Sequence, residues 1–197
     1  MTLRIAGLRS ALAGPFDLVI EAGECIAIAG ASGSGKSLFL RMIADLDPSE
    51  GDVFLDDRSR RSMPAPEWRR QVVYNPAEPG WWAEDVASHF ADIAAARALA
   101  PRLGVPADLF GGLVLRLSTG ERQRLGLIRA LALDPKVLLL DEPTGALDAD
   151  NTALVEAVLR ECLAGGASVV MVTHSAEQAE RMGDRRFRMA ERRLVGV

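Results

Sequence analysis

Gly30-Ala31-Ser32-Gly33-Ser34-Gly35-Lys36-Ser37, or GASGSGKS, decides the fold. It fits the spacing G-x-x-x-x-G-K-[ST]. A β-rich run, Cys25 to Ala29, precedes it, and Leu38 to Leu46 continues helically. Gly30, Gly33 and Gly35 let the backbone turn tightly and aim successive N–H groups inward. The helix that follows adds the positive end of its dipole. Ala31, Ser32 and Ser34 complete a cradle for phosphates. Lys36 is placed to reach the β- and γ-phosphates of a nucleotide, and Ser37 to put its hydroxyl on Mg²⁺. Alone, this loop says only that a nucleoside triphosphate binds, which covers kinases, GTPases, motors and transporters.

The rest of the chain narrows the class. At 197 residues it fits one domain, or one domain with a small lobe. Net charge is −4, which speaks against a nucleic-acid partner, since that affinity rests on basic surface. No apolar run approaches the roughly 20 residues of a membrane-spanning helix. A cytoplasmic protein is expected, with any membrane role coming through a partner. Cys25 and Cys162 sit in apolar contexts without metal-like spacing and read as reduced thiols. Of 23 basic residues only Lys36 and Lys136 are lysine. The arginines at 185, 186, 188, 192 and 193 read as a solvated edge.

Strands are expected at Leu18 to Ile20, Cys25 to Ala29, Asp52 to Asp56 and Gln71 to Tyr74. Asp57 to Pro66 reads as an exposed loop. Glu84 to Ala100 reads as one helix stopped by Pro101, followed by a short helix at Pro106 to Phe110. Further helices are expected at Thr119 to Leu133, Asp150 to Leu163 and Ser175 to Met182. KVLLLD and ASVVMVTH are continuous apolar runs suited to buried parallel strands. Strands alternating with helices give an α/β domain with a largely parallel sheet. The helical segment at about 84–116 interrupts that alternation as an inserted lobe.

VLLLDEP, Val137 to Pro143, ends a buried strand on two acids. An acid there faces the ligand crevice of an open α/β sheet. Asp141 is the candidate Mg²⁺ holder, and Glu142 the candidate that orients and polarises an attacking water.

Three further stretches carry a resemblance. LSTGERQRLGLIRAL, Leu117 to Leu131, resembles the LSGGQ signature of the ATP-binding cassette (ABC) family. TGALD, Thr144 to Asp148, is similar to its D-loop, and His174 in VTHS to its switch histidine. With GASGSGKS and VLLLDEP, five motifs follow the family's order over about residues 16–190. The resemblance implies a P-loop NTPase core with a small N-terminal antiparallel β part and a short helical lobe. It implies the ATPase subunit of an ABC transporter, using ATP and Mg²⁺. ATP would lie between the phosphate loop of one cassette and Ser118, Gly120, Glu121 and Asp148 of another, homo- or heterodimeric. Glu142 and His174 would be catalytic, and Ser37 and Asp141 metal-holding. The partner would be a membrane-spanning subunit, holding the chain on the inner face of the cell membrane. A soluble ABC ATPase of DNA repair or translation, and an ATP-binding module with little turnover, are the alternatives. LSTGE read alone is also an ordinary helix cap.

Two departures bear on mechanism. Where the family has Y-x-P-Q, this chain has Tyr74-Asn75-Pro76-Ala77. The glutamine position is alanine, leaving Glu78 or Asn75 as substitutes. The family also stacks adenine on an N-terminal aromatic, and Leu3 to Ala13 contain none. Just after Ala77 stand Trp81 and Trp82, expected either to border the cleft for the membrane subunit or to pack the lobe internally. His89 receives no role.

Overall fold

A computed structural model describes residues 1–197. Two sheets build it. Strands β1 (Thr2–Arg9), β2 (Phe16–Glu21), β4 (Glu50–Leu55) and β5 (Arg58–Ser59) form an antiparallel sheet in the order β2-β1-β4-β5. Strands β3 (Cys25–Ala29), β6 (Val72–Asn75), β7 (Val137–Asp141), β8 (Ser168–Val172), β9 (Arg185–Ala190) and β10 (Arg193–Gly196) form the second, in the order β10-β9-β3-β8-β7-β6. Within it β9, β3, β8, β7 and β6 run parallel, and β10 closes the edge as an antiparallel hairpin.

The parallel strands β3, β8, β7 and β6 are largely buried, so side-chain parity assigns their residues to one of two cores. Val137 and Leu139 of β7 join the core shared with the antiparallel sheet and helix α1 (Lys36–Ile43). Leu138 and Leu140 join the core under helices α3 (Ile93–Leu99), α4 (Thr119–Leu131) and α5 (Ala149–Ala164). Helices α2 (Ala65–Gln71) and α6 (Ala176–Met182) complete the chain. No helix is long and apolar enough to cross a membrane.

Two expectations change. The segment at 57–66 is not an exposed loop: it folds as β5, a single 3₁₀ turn and the start of α2. Its Arg60 is buried, donating to the Met42 carbonyl and to Ser49 Oγ at 2.8 Å. Trp68 of α2 is also buried, and its indole N–H reaches the Ile43 carbonyl at 3.0 Å. A long guanidinium and an indole tie this stretch to the end of α1, which its polar composition conceals.

The single helix expected at Glu84 to Ala100 is also not formed. Asp85 bridges to Leu113, and its carboxylate binds Ser88 through both N–H and hydroxyl. These local bonds compete with helical ones. The helix starts only at Ile93, where Asp92 caps the Ala95 N–H. The helices at 119–133, 150–163 and 175–182 appear at those places within a residue or two.

Candidate nucleotide site

The phosphate loop leaves β3 and enters α1. Gly30, Gly33 and Gly35 all have positive φ, at 153°, 73° and 103°. At Gly30 a Cβ would come 2.7 Å from the Met189 carbonyl, so no side chain fits there. Lys36 is buried, its Nζ donating to the carbonyls of Gly30 and Ala31 at 2.7 and 3.0 Å. Ser34 Oγ is buried and has no hydrogen-bond partner. A buried hydroxyl without a partner is costly, and phosphate oxygens would satisfy it.

One cavity of about 290 Å³ contains Ser32, Gly33, Gly35, Lys36 and Ser37 together with Glu142 and His174, and also Leu12, Leu38 and Arg192. Sheet order explains the grouping. Glu142 follows β7 and His174 follows β8, which flanks β3 on one side. His174 Nε2 lies 2.7 Å from Glu142 Oε1. Glu142 is held in the left-handed region, φ 49°, which a non-glycine residue keeps only when its surroundings enforce it. Its N–H donates to the Val172 carbonyl at 2.9 Å, and its carbonyl accepts from Gln123 Nε2 at 2.7 Å. Gln123 Oε1 also accepts from the Ala146 N–H at 3.1 Å.

A second buried amide works from the other side. Gln178 Nε2 donates to Thr144 Oγ1 at 2.9 Å and to Glu156 Oε1 at 3.3 Å. Its Oε1 accepts from Thr173 Oγ1 at 2.8 Å. Gln178 therefore joins the segment after Glu142 to the residue before His174. Glu156 behind it is buried and also bound by Arg181 at 2.8 Å. Burial pushes the Glu156 carboxyl up, but Arg181, Gln178 and Arg160 outweigh it and the net shift is downward. Neither Gln123, Gln178 nor Glu156 was singled out from the sequence, because their partners lie on other elements.

Asp141 stands on the same face of β7 as Val137 and Leu139, toward α1. It is buried, and the Tyr74 hydroxyl donates to its Oδ2 at 3.1 Å. Burial, then the Asp141 charge, push the Tyr74 phenol up, so it stays a donor. The same parity in β6 sends Asn75 to the opposite face. Asn75 is buried, with its Oδ1 beside Gly126 of α4 and its Nδ2 without a partner. Glu78 is exposed. Neither Asn75 nor Glu78 lines the cavity, and the polar group beside Asp141 is Tyr74.

The signature residues and Asp148 do not line this cavity. Ser118 caps α4: its Oγ accepts from the Glu121 N–H at 3.2 Å, and Glu121 Oε2 accepts from the Ser118 N–H at 2.8 Å. The backbone bond from Ser118 holds the Glu121 carboxyl below its ordinary range. The helix-cap reading of LSTGE thus holds geometrically. Gly120 faces the Ala146 carbonyl, and Asp148 caps α5 by accepting from the Asn151 N–H at 2.8 Å.

The ABC transporter family pattern matches residues 14–145. The chain belongs to the ABC transporter family. It is 36% identical to the aliphatic sulfonates import ATP-binding protein SsuB 2 of Paracoccus denitrificans, over 89% of this chain and 70% of that protein. It is 33% identical to the sulfate/thiosulfate import ATP-binding protein CysA of Brucella melitensis, over 100% of this chain and 61% of that protein. It is 36% identical to the macrolide export ATP-binding/permease protein MacB 2 of Aeromonas hydrophila, over 84% of this chain but 28% of that protein. The chain therefore spans between about a quarter and about two thirds of the length of these curated relatives. Among solved structures, a dimeric ATP-binding cassette in a post-hydrolysis state with ADP and phosphate shares the fold, with TM-score 0.83, 24% identity and coverage of 98% and 96%. The antiparallel and parallel sheets of the chain are those of that fold.

Trp81, Trp82 and His89 form one cluster on the ABC lobe. His89 Nε2 accepts from the backbone N–H of Trp82 at 2.9 Å and of Ala83 at 3.1 Å, and its ring lies 4.7 and 4.5 Å from the two indoles. Arg129 of α4 lies 5.2 Å from the Trp81 ring and 5.0 Å from the Trp82 ring. Trp82 is 70% exposed, whereas Trp81 is partly buried against the lobe core. His89 is thus the organiser of this loop, a role the sequence did not reveal.

Proposed function

We propose that residues 1–197 form a single ATP-hydrolysing unit, with the lobe at about 84–116 inserted in it, that powers transport through a separate membrane-spanning subunit. The observation carrying this reading is the Glu142–His174 pair beside the phosphate loop in one cavity. Gly30 to Ser37 hold the phosphates of ATP, with Lys36 leaving its loop carbonyls for the β- and γ-phosphates. Glu142 orients the attacking water and accepts its proton. His174 holds the Glu142 carboxylate and faces the γ-phosphate.

Ser37 and Asp141 are the residues that would hold Mg²⁺. The donor set fits, since a buried carboxylate and a hydroxyl are hard oxygen ligands and phosphates supply the remainder. Bound there, the cation neutralises charge on the transferring phosphoryl group. Tyr74 orients Asp141 for that task.

Ser118, Gly120 and Glu121 stand at the start of α4, away from the chain's own cavity, so they serve a second cassette paired head-to-tail. Asp148 lies at that interface. Trp82, exposed and backed by Arg129, suits the docking of the membrane subunit, which places the chain on the inner face of the membrane. ATP turnover of the purified chain beside Glu142→Gln tests the central claim. A wild type at least about 100-fold faster is expected, since a positioned base contributes about 10²–10⁴-fold. Equal rates would leave the second reading, an ATP-binding module with little turnover, which the alanine at position 77 favours.

A further inference from the structure

The cavity has a second end with no part in the chemistry above. Glu142 and His174 lie on the β8 side of the phosphate loop. On the other side of β3 runs β9, and the β9–β10 hairpin brings Arg192 to the opposite flank. A nucleotide whose terminal phosphate faces Glu142 must direct its base away from it, toward Leu12 and Arg192.

That end is built. Arg192 Nη1 donates to the Leu12 carbonyl at 2.8 Å, and the Gly14 N–H donates to the Arg192 carbonyl at 3.1 Å. These bonds fasten the β1–β2 loop to the hairpin. The Arg192 stem passes close to the phosphate loop, with Cγ 4.0 Å from where a Cβ on Gly35 would lie. The hairpin turns on Glu191 and Arg192 alone, both left-handed at φ 47° and 62°. Asn-Gly is the unstrained choice for such a turn. Two long charged residues there keep a backbone cost, which points to use of a side chain. Leu12 is 58% exposed beside it, an apolar surface at the mouth of a polar cavity.

No phenylalanine, tyrosine or tryptophan lines the cavity, and its one imidazole, His174, lies at the Glu142 end. Phe16, the nearest in sequence to Leu12, is buried in the core with its ring 4.6 Å from that of Phe39. A guanidinium is the one planar, delocalised group at this end, and it stacks on ring faces as an ammonium does not.

We propose that Arg192 is the platform on which the nucleobase of the bound triphosphate stacks, with Leu12 covering the base edge. This rests on the phosphates occupying Gly30 to Ser37. The test compares ATP with inorganic tripolyphosphate, which has the phosphates but no base, by calorimetric binding to wild type, Arg192→Ala, Arg192→Lys and Arg192→Tyr. Arg192→Ala is expected to raise the ATP Kd about five- to twenty-fold, the range for loss of one stacking or cation–π contact. Its tripolyphosphate Kd stays within about two-fold, which also shows that the loop is intact. Arg192→Tyr restores ATP affinity and Arg192→Lys does not. Equal weakening of both ligands, or rescue by lysine, would mean a phosphate contact and overturns the proposal. An unchanged ATP Kd in Arg192→Ala overturns it alone, whereas a wild type that binds neither ligand overturns the phosphate-cradle reading as well.

Discussion

Gln178→Leu isolates what the buried amide does, because leucine nearly matches its volume and removes both its donor and its acceptor. Three partners lose a bond: Thr173 Oγ1, Thr144 Oγ1 and Glu156 Oε1. Thr144 is partly exposed and can turn to water, and Glu156 keeps its bonds from Arg181. Thr173 is buried and has no such recourse, although its oxygen still accepts from the Ser175 N–H. At roughly 1–3 kcal/mol for a buried group left without a partner, and less for the other two, the loss is about 2–4 kcal/mol. For a chain of this length that lowers Tm by about 4–16 °C. Catalysis falls further than stability requires, because the loops carrying Glu142 and His174 lose their link. A displacement of about 1 Å costs up to 10²-fold, so kcat should drop at least about tenfold at a temperature where the variant is still folded. Thermal unfolding followed by circular dichroism and steady-state ATP turnover measure the two effects. A variant that melts within about 1 °C of wild type and turns over ATP at the same rate refutes the reasoning.

Glu121→Gln keeps a side chain able to accept from Ser118 but removes a negative charge where a partner cassette's γ-phosphate would sit. ATP-dependent pairing should tighten about three- to ten-fold in sedimentation equilibrium, and weaker pairing would mean the carboxylate is required. Asp47, held by Arg41, and Glu156, held chiefly by Arg181 against its burial, have carboxyl pKa values below their unfolded ones. Their contribution is present above about pH 4 and is lost as pH falls through the lower folded values. Urea unfolding between pH 6 and pH 3, as approximate limits, should therefore show stability falling with acid, and less steeply in Arg181→Met. Trp82→Ala should weaken association with the membrane subunit by about ten-fold or more in a detergent-phase pull-down, as loss of a docking anchor does. Cys25, buried with its thiol pushed up to about 12, should resist a thiol reagent until the chain unfolds.

Motifs read along the chain were legible because their chemistry is local. GASGSGKS needs only consecutive backbone groups, and VLLLDE needs only strand parity to turn Asp141 toward α1. The lobe was less legible. Ala94 to Ala100 is alanine-rich and helical by propensity, yet Asp85, Ser88 and His89 form local bonds just upstream that delay the helix to Ile93. Periodicity does not weigh those bonds. Arg60 and Trp68 failed for the opposite reason: nothing local is unusual about them, and their partners are carbonyls at the end of α1. Parity also corrects the reading of the missing glutamine. Asn75 was a reasonable oxygen donor by type, but an even step along β6 puts Tyr74, not Asn75, on the Asp141 face.

The site that results is held by side chains from outside its motifs. Gln123 grips the Glu142 carbonyl and the Ala146 N–H from α4, one turn past the signature cap at Ser118. Gln178 grips Thr144 and Thr173 from α6. Between these amides the segment Glu142 to Ala146 has little freedom, which explains how Glu142 keeps a left-handed backbone. The grip from α4 has a direct consequence. A partner that moved the N-terminal end of α4 would pull on the carbonyl of Glu142, the residue proposed to activate water, through the Gln123 side chain and without passing through a bound nucleotide.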